Sequence, residues 1–218
     1  MNRCLVCGTE AVGTLMDVGP QPVCNRFLAR PDEDELTHPM LLGECGRCGL
    51  LQLVSPLVAR ELAPRVDWLT YREPEAHLDD MVGWLRSLPG FRPDATMAGI
   101  SFKDDSTLER FAKLGHTRTF RLDPVSDLDI QTPGAGVESV QDRMLPDVAR
   151  RIVGAHGRFD VVVARHILEH VHSPKTFVAA IRELLAPGGM LVLEFPDCAK
   201  TLQQRYYTML WEEHSLYF

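Results

Sequence analysis

The sequence predicts an α/β fold, a parallel-sheet domain preceded by a small cysteine-rich module. Three observations carry this. The apolar runs FDVVVA (159–164) and MLVLEFP (190–196) have the character of parallel strands buried on both faces. From residue 95 onward such runs alternate with stretches of helical period, the pattern of βαβ units. Ahead of that alternation, four of the six cysteines stand in two C-x-x-C pairs.

Residues 1–57 form the first unit. It holds Cys4-x-x-Cys7 and Cys45-x-x-Cys48, turn signals, and short strand-like runs such as LLQLV. Residues 58–93 read as a helical connector with Trp68, Tyr71, Met81, Trp84 and Leu85 as its apolar positions, ending in the Pro- and Gly-rich LPGFRPDA. The parallel-sheet domain spans 94–200. Strand ATMAGI leads into helix TLERFAKLG, with Ser106 as N-cap and Gly115 as C-terminal stop. Strand TRTFRL follows, then a loop and GVESV as a third strand, which sets Gln141 just beyond a strand end. Pro146 opens helix DVARRIVGA, and FDVVVA is the fourth strand. Ser173 and Pro174 open a helix that runs into LLAPGG, and MLVLEFP is the next buried strand. Residues 201–218 are a separate closing segment.

The 218 residues, 45% hydrophobic, suffice for one large core or two small ones. The net charge of −7, with no basic block, argues against a nucleic-acid partner. The start, MNRCLVCGTE, has no apolar leader, and no apolar run approaches the roughly 18 residues of a membrane span. The expectation is a soluble, cytoplasmic chain with reduced thiols and no membrane partner.

The two C-x-x-C-G pairs fit a structural, four-thiolate zinc site with Cys4, Cys7, Cys45 and Cys48 as ligands. Each pair offers two sulfurs one turn apart, and the glycine permits the left-handed backbone of such knuckles. A redox-active pair, or four small core residues, are the other readings; two copies in one module favour metal. Cys24 and Cys198 read as buried small residues or surface thiols. One further stretch raises a question. MAGISFKDDST, between the first strand and its helix, keeps a single glycine, Gly99, where a cofactor-cradling turn usually carries two or three.

The stretch FDVVVARHILEHVHSPKTFVAAIRELLAPGGMLVLEFPD resembles the second half of a class I S-adenosylmethionine-dependent methyltransferase, a Rossmann-like fold. VGPQPVCNRFL followed by LLGECGRCGLLQL, and the closing WEEHSLYF, resemble the sugar C-methyltransferase family of deoxysugar biosynthesis. The resemblance covers nearly the whole chain in the family's order. It implies S-adenosylmethionine as cofactor, a small-molecule substrate that is a nucleotide-linked keto sugar, and a further domain beginning within 201–218, so that the chain ends where that domain would start.

The same resemblance assigns residues. Gly99 lies in the cofactor loop, and Asp104 and Asp105 either face the amino or sulfonium charge there or form a solvated turn that caps the helix. Asp123 takes the ribose hydroxyls, Gln141 contacts adenine, and Arg165 and His166 look into the cleft. His214 is the base that removes the proton α to the ketone, and Glu213 orients it. Tyr71, in a segment that departs from the family, is a candidate phenol to hydrogen-bond the enolate oxygen, and His170, in LEHV, either starts a helix or, as the resemblance implies, faces the active site. Trp211 stands where the family has a tyrosine. Glu73, Glu75, His77, Asp79 and Asp80 are either a substrate-facing cluster or the charged face of a helix. Two other functions stay open: methylation of another small polar acceptor, and a zinc-stapled domain that has lost its cofactor and acts as a binding module.

Overall fold

Two four-stranded sheets organise the protein, which is described by a computed structural model over residues 2–24, 26–63, 74–131, 136–205 and 213–218. The first is antiparallel. β1 (Val12–Pro22) pairs with β2 (Thr37–Cys45), β2 with β3 (Leu51–Leu53), and β3 with β8 (Leu216–Tyr217). The sheet is thus completed by the closing segment, with Leu51 opposite Tyr217 and Gln52 opposite Leu216. Met40, Leu42, Leu53, Tyr217 and Cys198 form its core.

The second sheet is parallel, as the unbroken apolar runs predict. Its strands are β4 (Met97–Gly99), β5 (Thr119–Arg121), β6 (Phe159–Arg165) and β7 (Leu185–Glu194), in the order β5-β4-β6-β7. Successive residues of β6 serve opposite faces. Val161 and Val163 pack with Met97, Phe111 and Val82, whereas Val162 and Ala164 pack with Ala98, Ala149, Phe177 and Ile181. The first face is covered by α2 (His77–Ser87) and α3 (Asp105–Lys113). The second is covered by α4 (Val137–Arg143), α5 (Pro146–His156) and α6 (Pro174–Leu184). Two short helices, α1 (Ala59–Leu62) and α7 (Cys198–Gln204), complete the described elements.

Four local expectations are corrected. GVESV is not a strand: Val137–Arg143 is helical and buries Val137 and Val140 at i, i+3, so Gln141 sits on a helix. Ser106 does not cap α3. Ser101 caps a preceding 3-10 turn, Phe102–Asp104, and Asp104 is the residue from which α3 starts. The α6 helix does not run into the glycines: it stops at Leu184, and the PGG segment belongs to β7. Gly189 is needed there because a Cβ would stand 2.9 Å from Ala186 O and 3.0 Å from Asp160 O. Finally, strand ATMAGI contracts to Met97–Gly99. Gly115 does stop α3 as expected, at φ +93.

Candidate active site and zinc centre

The sulfurs of Cys4 and Cys48 lie 3.7 Å apart and those of Cys7 and Cys45 3.6 Å apart, with all four within 4.8 Å of one another. A tetrahedral zinc with Zn–S bonds of about 2.3 Å separates its sulfurs by about 3.8 Å, so the set fits the ion. The glycine after each pair is left-handed, Gly8 at φ +75 and Gly49 at φ +73. Their N–H groups close the two knuckles on Cys4 O and Cys45 O. Against the upward push of burial, the N–H groups of Cys48 and Arg47 hold the Cys45 thiol down at about 6. At Cys48 the Leu50 N–H pulls down, but burial and the neighbouring thiols prevail and push it up to about 12. Gln52 ties this centre to the sheet. Its buried amide accepts from Leu5 N and donates to Arg3 O.

In the parallel sheet the chain runs from β4 to β5 on one side and then crosses to β6 on the other. The crevice outside the carboxyl ends of β4 and β6 is therefore the switch point at which ligands of such sheets bind. Asp104, fully buried, bridges that crevice. Its Oδ2 accepts from Ile100 N and Ser101 N, and its Oδ1 from Arg165 N. Burial outweighs these N–H bonds and pushes its carboxyl up to about 7. Both carboxylate oxygens of Asp104, expected to face a cofactor or to cap the helix, are thus taken by backbone N–H groups, and Asp104 is also the residue from which α3 starts. The single glycine serves the same contact, because a Cβ on Gly99 would stand 2.7 Å from Asp104 Cβ. Asp105 instead pairs with Arg121.

Arg165 also departs from expectation. It is 1% exposed, and its guanidinium is held by Glu194, Glu75, Lys103 O and Ser106 Oγ rather than turned to an open cleft. His166, left-handed at φ 47, contacts Glu169 and Glu194. Of the cluster at residues 73–80, Glu75 is half-buried while His77, Asp79 and Asp80 are exposed. Glu75 meets Ser106 and Arg165, His77 meets Glu194, and Asp79 meets Arg110. Asp123 lies exposed two residues beyond β5, its Oδ1 accepting from Val125 N, Ser126 N and Ser126 Oγ. These bonds, the Ser126 N–H foremost, keep its carboxyl below the ordinary range. Gln141 is buried, its Oε1 accepting from His172 N, while its Nε2 has no hydrogen-bond partner among the described residues.

On the other side of the 3-10 turn Leu168–His170, the closing segment brings Glu213 and His214 against His170. All three are buried, and the His170 and His214 rings stand edge to face at 4.8 Å. Cys24 Sγ donates to Glu213 Oε1 at 2.6 Å, so the zinc module reaches into this cluster. Glu138 Oε1 on α4 lies 3.4 Å from His170 Nδ1. His214 also lines a small pocket with Glu169, Pro196, Cys198, Thr201, Leu216 and Tyr217. Tyr71 and Trp211 lie outside the described residues. Sequence reasoning missed Cys24 and Glu138. Helical spacing of Val137, Val140 and Gln141 was the signal for Glu138, whereas nothing local marks Cys24.

A profile described as a methyltransferase domain matches residues 82–217, well over half of the chain. The chain belongs to this methyltransferase family. A second profile, described as "Putative zinc binding domain", matches residues 4–62 and so contains all four cysteines. S-adenosylmethionine is the cofactor that the methyltransferase domain implies. Among curated proteins the chain is similar to a ubiquinone biosynthesis O-methyltransferase of Cereibacter sphaeroides, 46% identical over 20% of this chain and 18% of that protein. It is similar to the mitochondrial one of Schizosaccharomyces pombe, 29% identical over 50% of this chain and 39% of that protein. It is likewise similar to one from Caulobacter, 33% identical over 39% and 34%. The methyltransferase thus spans less than half the length of each of these relatives. No described helix is long and apolar enough to cross a membrane.

Proposed function

We propose that the protein methylates a carbon α to the ketone of a nucleotide-linked keto-deoxysugar. The observation that carries this is the buried His214 at the wall of that pocket, next in sequence to the buried Glu213, which Cys24 of the zinc module holds. A carbon acid needs a base placed inside a water-poor site, and a histidine oriented by a carboxylate serves that role. S-adenosylmethionine, when bound, supplies an electrophilic methyl group. His214 takes the α proton, Glu213 fixes its ring, and His170 stands against it from the 3-10 turn. Asp123 and Gln141 would hold the ribose and adenine. The zinc is structural, since four thiolates leave no open position.

The names of the similar proteins favour a second reading, methylation of a ring hydroxyl by the same base. One experiment separates the two. The zinc-loaded protein and an Asp123→Ala variant are titrated calorimetrically with S-adenosylmethionine, then incubated with methyl-labelled donor and either keto-deoxysugar nucleotides or dihydroxybenzenes. Binding weakened in the variant, with label on a sugar carbon by NMR, is expected. Label on a phenolic oxygen replaces the proposal with the second reading. A folded protein that binds no donor overturns both.

A further inference from the structure

α4 carries a carboxyl that the proposed reaction does not yet use. Glu138 and His170 are both more than nine-tenths buried, and Glu138 Oε1 lies 3.4 Å from His170 Nδ1. That ring nitrogen makes no hydrogen bond to the described residues. On its other side His170 meets His214, ring to ring at 4.8 Å. A base, a second imidazole and a buried carboxyl are therefore contiguous, with the carboxylates of Glu169 and Glu213 also within 4.8 Å of His170.

We propose that Glu138 and His170 form a proton-relay pair that takes up the proton removed by His214. The inference rests on His214 acting as the base. The balance is simple. The C–H electron pair stays on the acceptor as its enolate, and His214 holds the proton. His214 passes it to one nitrogen of neutral His170. The proton already on His170 Nδ1 moves to Glu138 Oε1. His214 is again neutral, His170 has exchanged tautomers, and Glu138 is a carboxylic acid.

The surroundings suit both ends. Burial, with His214, Lys103, His166 and His172 around it, keeps His170 well below the usual imidazole range and hence neutral. Burial, then repulsion from Glu213, pushes Glu138 up to about 7, against the opposing pull of Lys103. Glu138 can therefore hold or release a proton near neutrality. Its role is that of a positioning and proton-accepting group behind His170, not of a residue that touches the acceptor.

The test of the pair itself needs neither donor nor acceptor; methyl transfer is read separately, with methyl-labelled donor. Protein carrying 15N-histidine is examined by two-bond 1H–15N NMR from about pH 6 to about pH 8, with His170→Gln assigning the signal. The wild type is expected to change from the Nε2–H to the Nδ1–H tautomer of His170 as pH rises through about 7. Glu138→Gln is expected to lose that change while keeping its fold. Should Glu138→Gln fail to fold, Glu138→Asp is expected to show an altered midpoint. A single His170 tautomer at every pH in the wild type overturns the proposal, as does an unaltered switch in a folded Glu138 variant. Methyl transfer to a sugar carbon without the switch overturns the relay alone. The switch without such transfer keeps the relay pair and overturns the acceptor.

Discussion

At the end of β7 one carboxylate meets three basic side chains. Glu194 takes Arg165, His77 and His166. Burial alone would raise its pKa, but His166, Arg165 and His77 prevail and hold it well below the carboxylate range. A carboxylate lowered on folding stabilises the native state above its unfolded pKa, and that contribution is lost as pH falls through the folded value. Glu194→Gln is therefore expected to be less stable than wild type at about pH 5, where His77 and His166 are charged, with the gap narrowing towards about pH 2, below the unfolded carboxylate value. Urea midpoints at the two pH values check this, and a gap independent of pH would sink it. Glu194 stands plainly in LVLEFP, yet its partners come from α2 and β6, more than 20 residues away in sequence. Asp104 makes the same point in reverse. Its place beside a cofactor loop was legible, but whether its oxygens face a ligand or three backbone N–H groups depends on how β6 approaches β4.

Among the elements, the β4–α3 junction is the departure that bears most on the site. One glycine suffices because the loop closes on its own aspartate. Gly99→Ala would place a methyl 2.7 Å from Asp104 Cβ and 3.0 Å from Leu108 Cδ1. The expected cost is about 1–3 kcal/mol, measured by urea unfolding, with weaker S-adenosylmethionine binding by calorimetry. Wild-type stability in this variant would mean that the junction yields and that Asp104 is not fixed there. α4 shows why element type is harder to read than element existence. Its seven residues carry two valines, which suit strand or helix, and so short a stretch offers barely two helical turns of periodicity. By contrast β6 and α5 were readable to within a residue or two. Seven mostly apolar residues in a row, and a proline followed by apolar residues at helical spacing, each admit one interpretation.

For the whole molecule, among the described residues, the antiparallel pair of β3 and β8 joins the zinc module to the methyltransferase domain, beside the Cys24–Glu213 contact. Leu51 and Gln52 of β3 pair with Tyr217 and Leu216, and Leu53 N donates to Ser215 O. Glu213 and His214 precede that strand directly, so the zinc knuckles reach the base through Gln52, β3 and β8. Removing zinc with a chelator is expected to free this chain of contacts while sparing the parallel core. Hydrogen exchange should show lost protection at Leu51–Leu53 and Leu216–Tyr217, and retained protection at Val161–Ala164. Equal loss in β6, or no change at Leu216, would show that the module does not support the base.

The sequence by itself determined the class of fold, the order of its main strands and helices, and the four-cysteine set. These depend on signals a few residues long: an unbroken apolar run, a proline at a helix start, two thiols one turn apart followed by glycine. Only the tertiary structure decided which of the remaining polar residues face a ligand and which face each other. Asp104 and Arg165 turned inward, Glu138 came to stand behind His170, and Cys24 crossed from the zinc module to Glu213. A buried polar group takes whichever partner the packed elements bring within reach, because burial without one costs about 1–3 kcal/mol. That partner is chosen by the approach of elements distant in the chain, which no local pattern records.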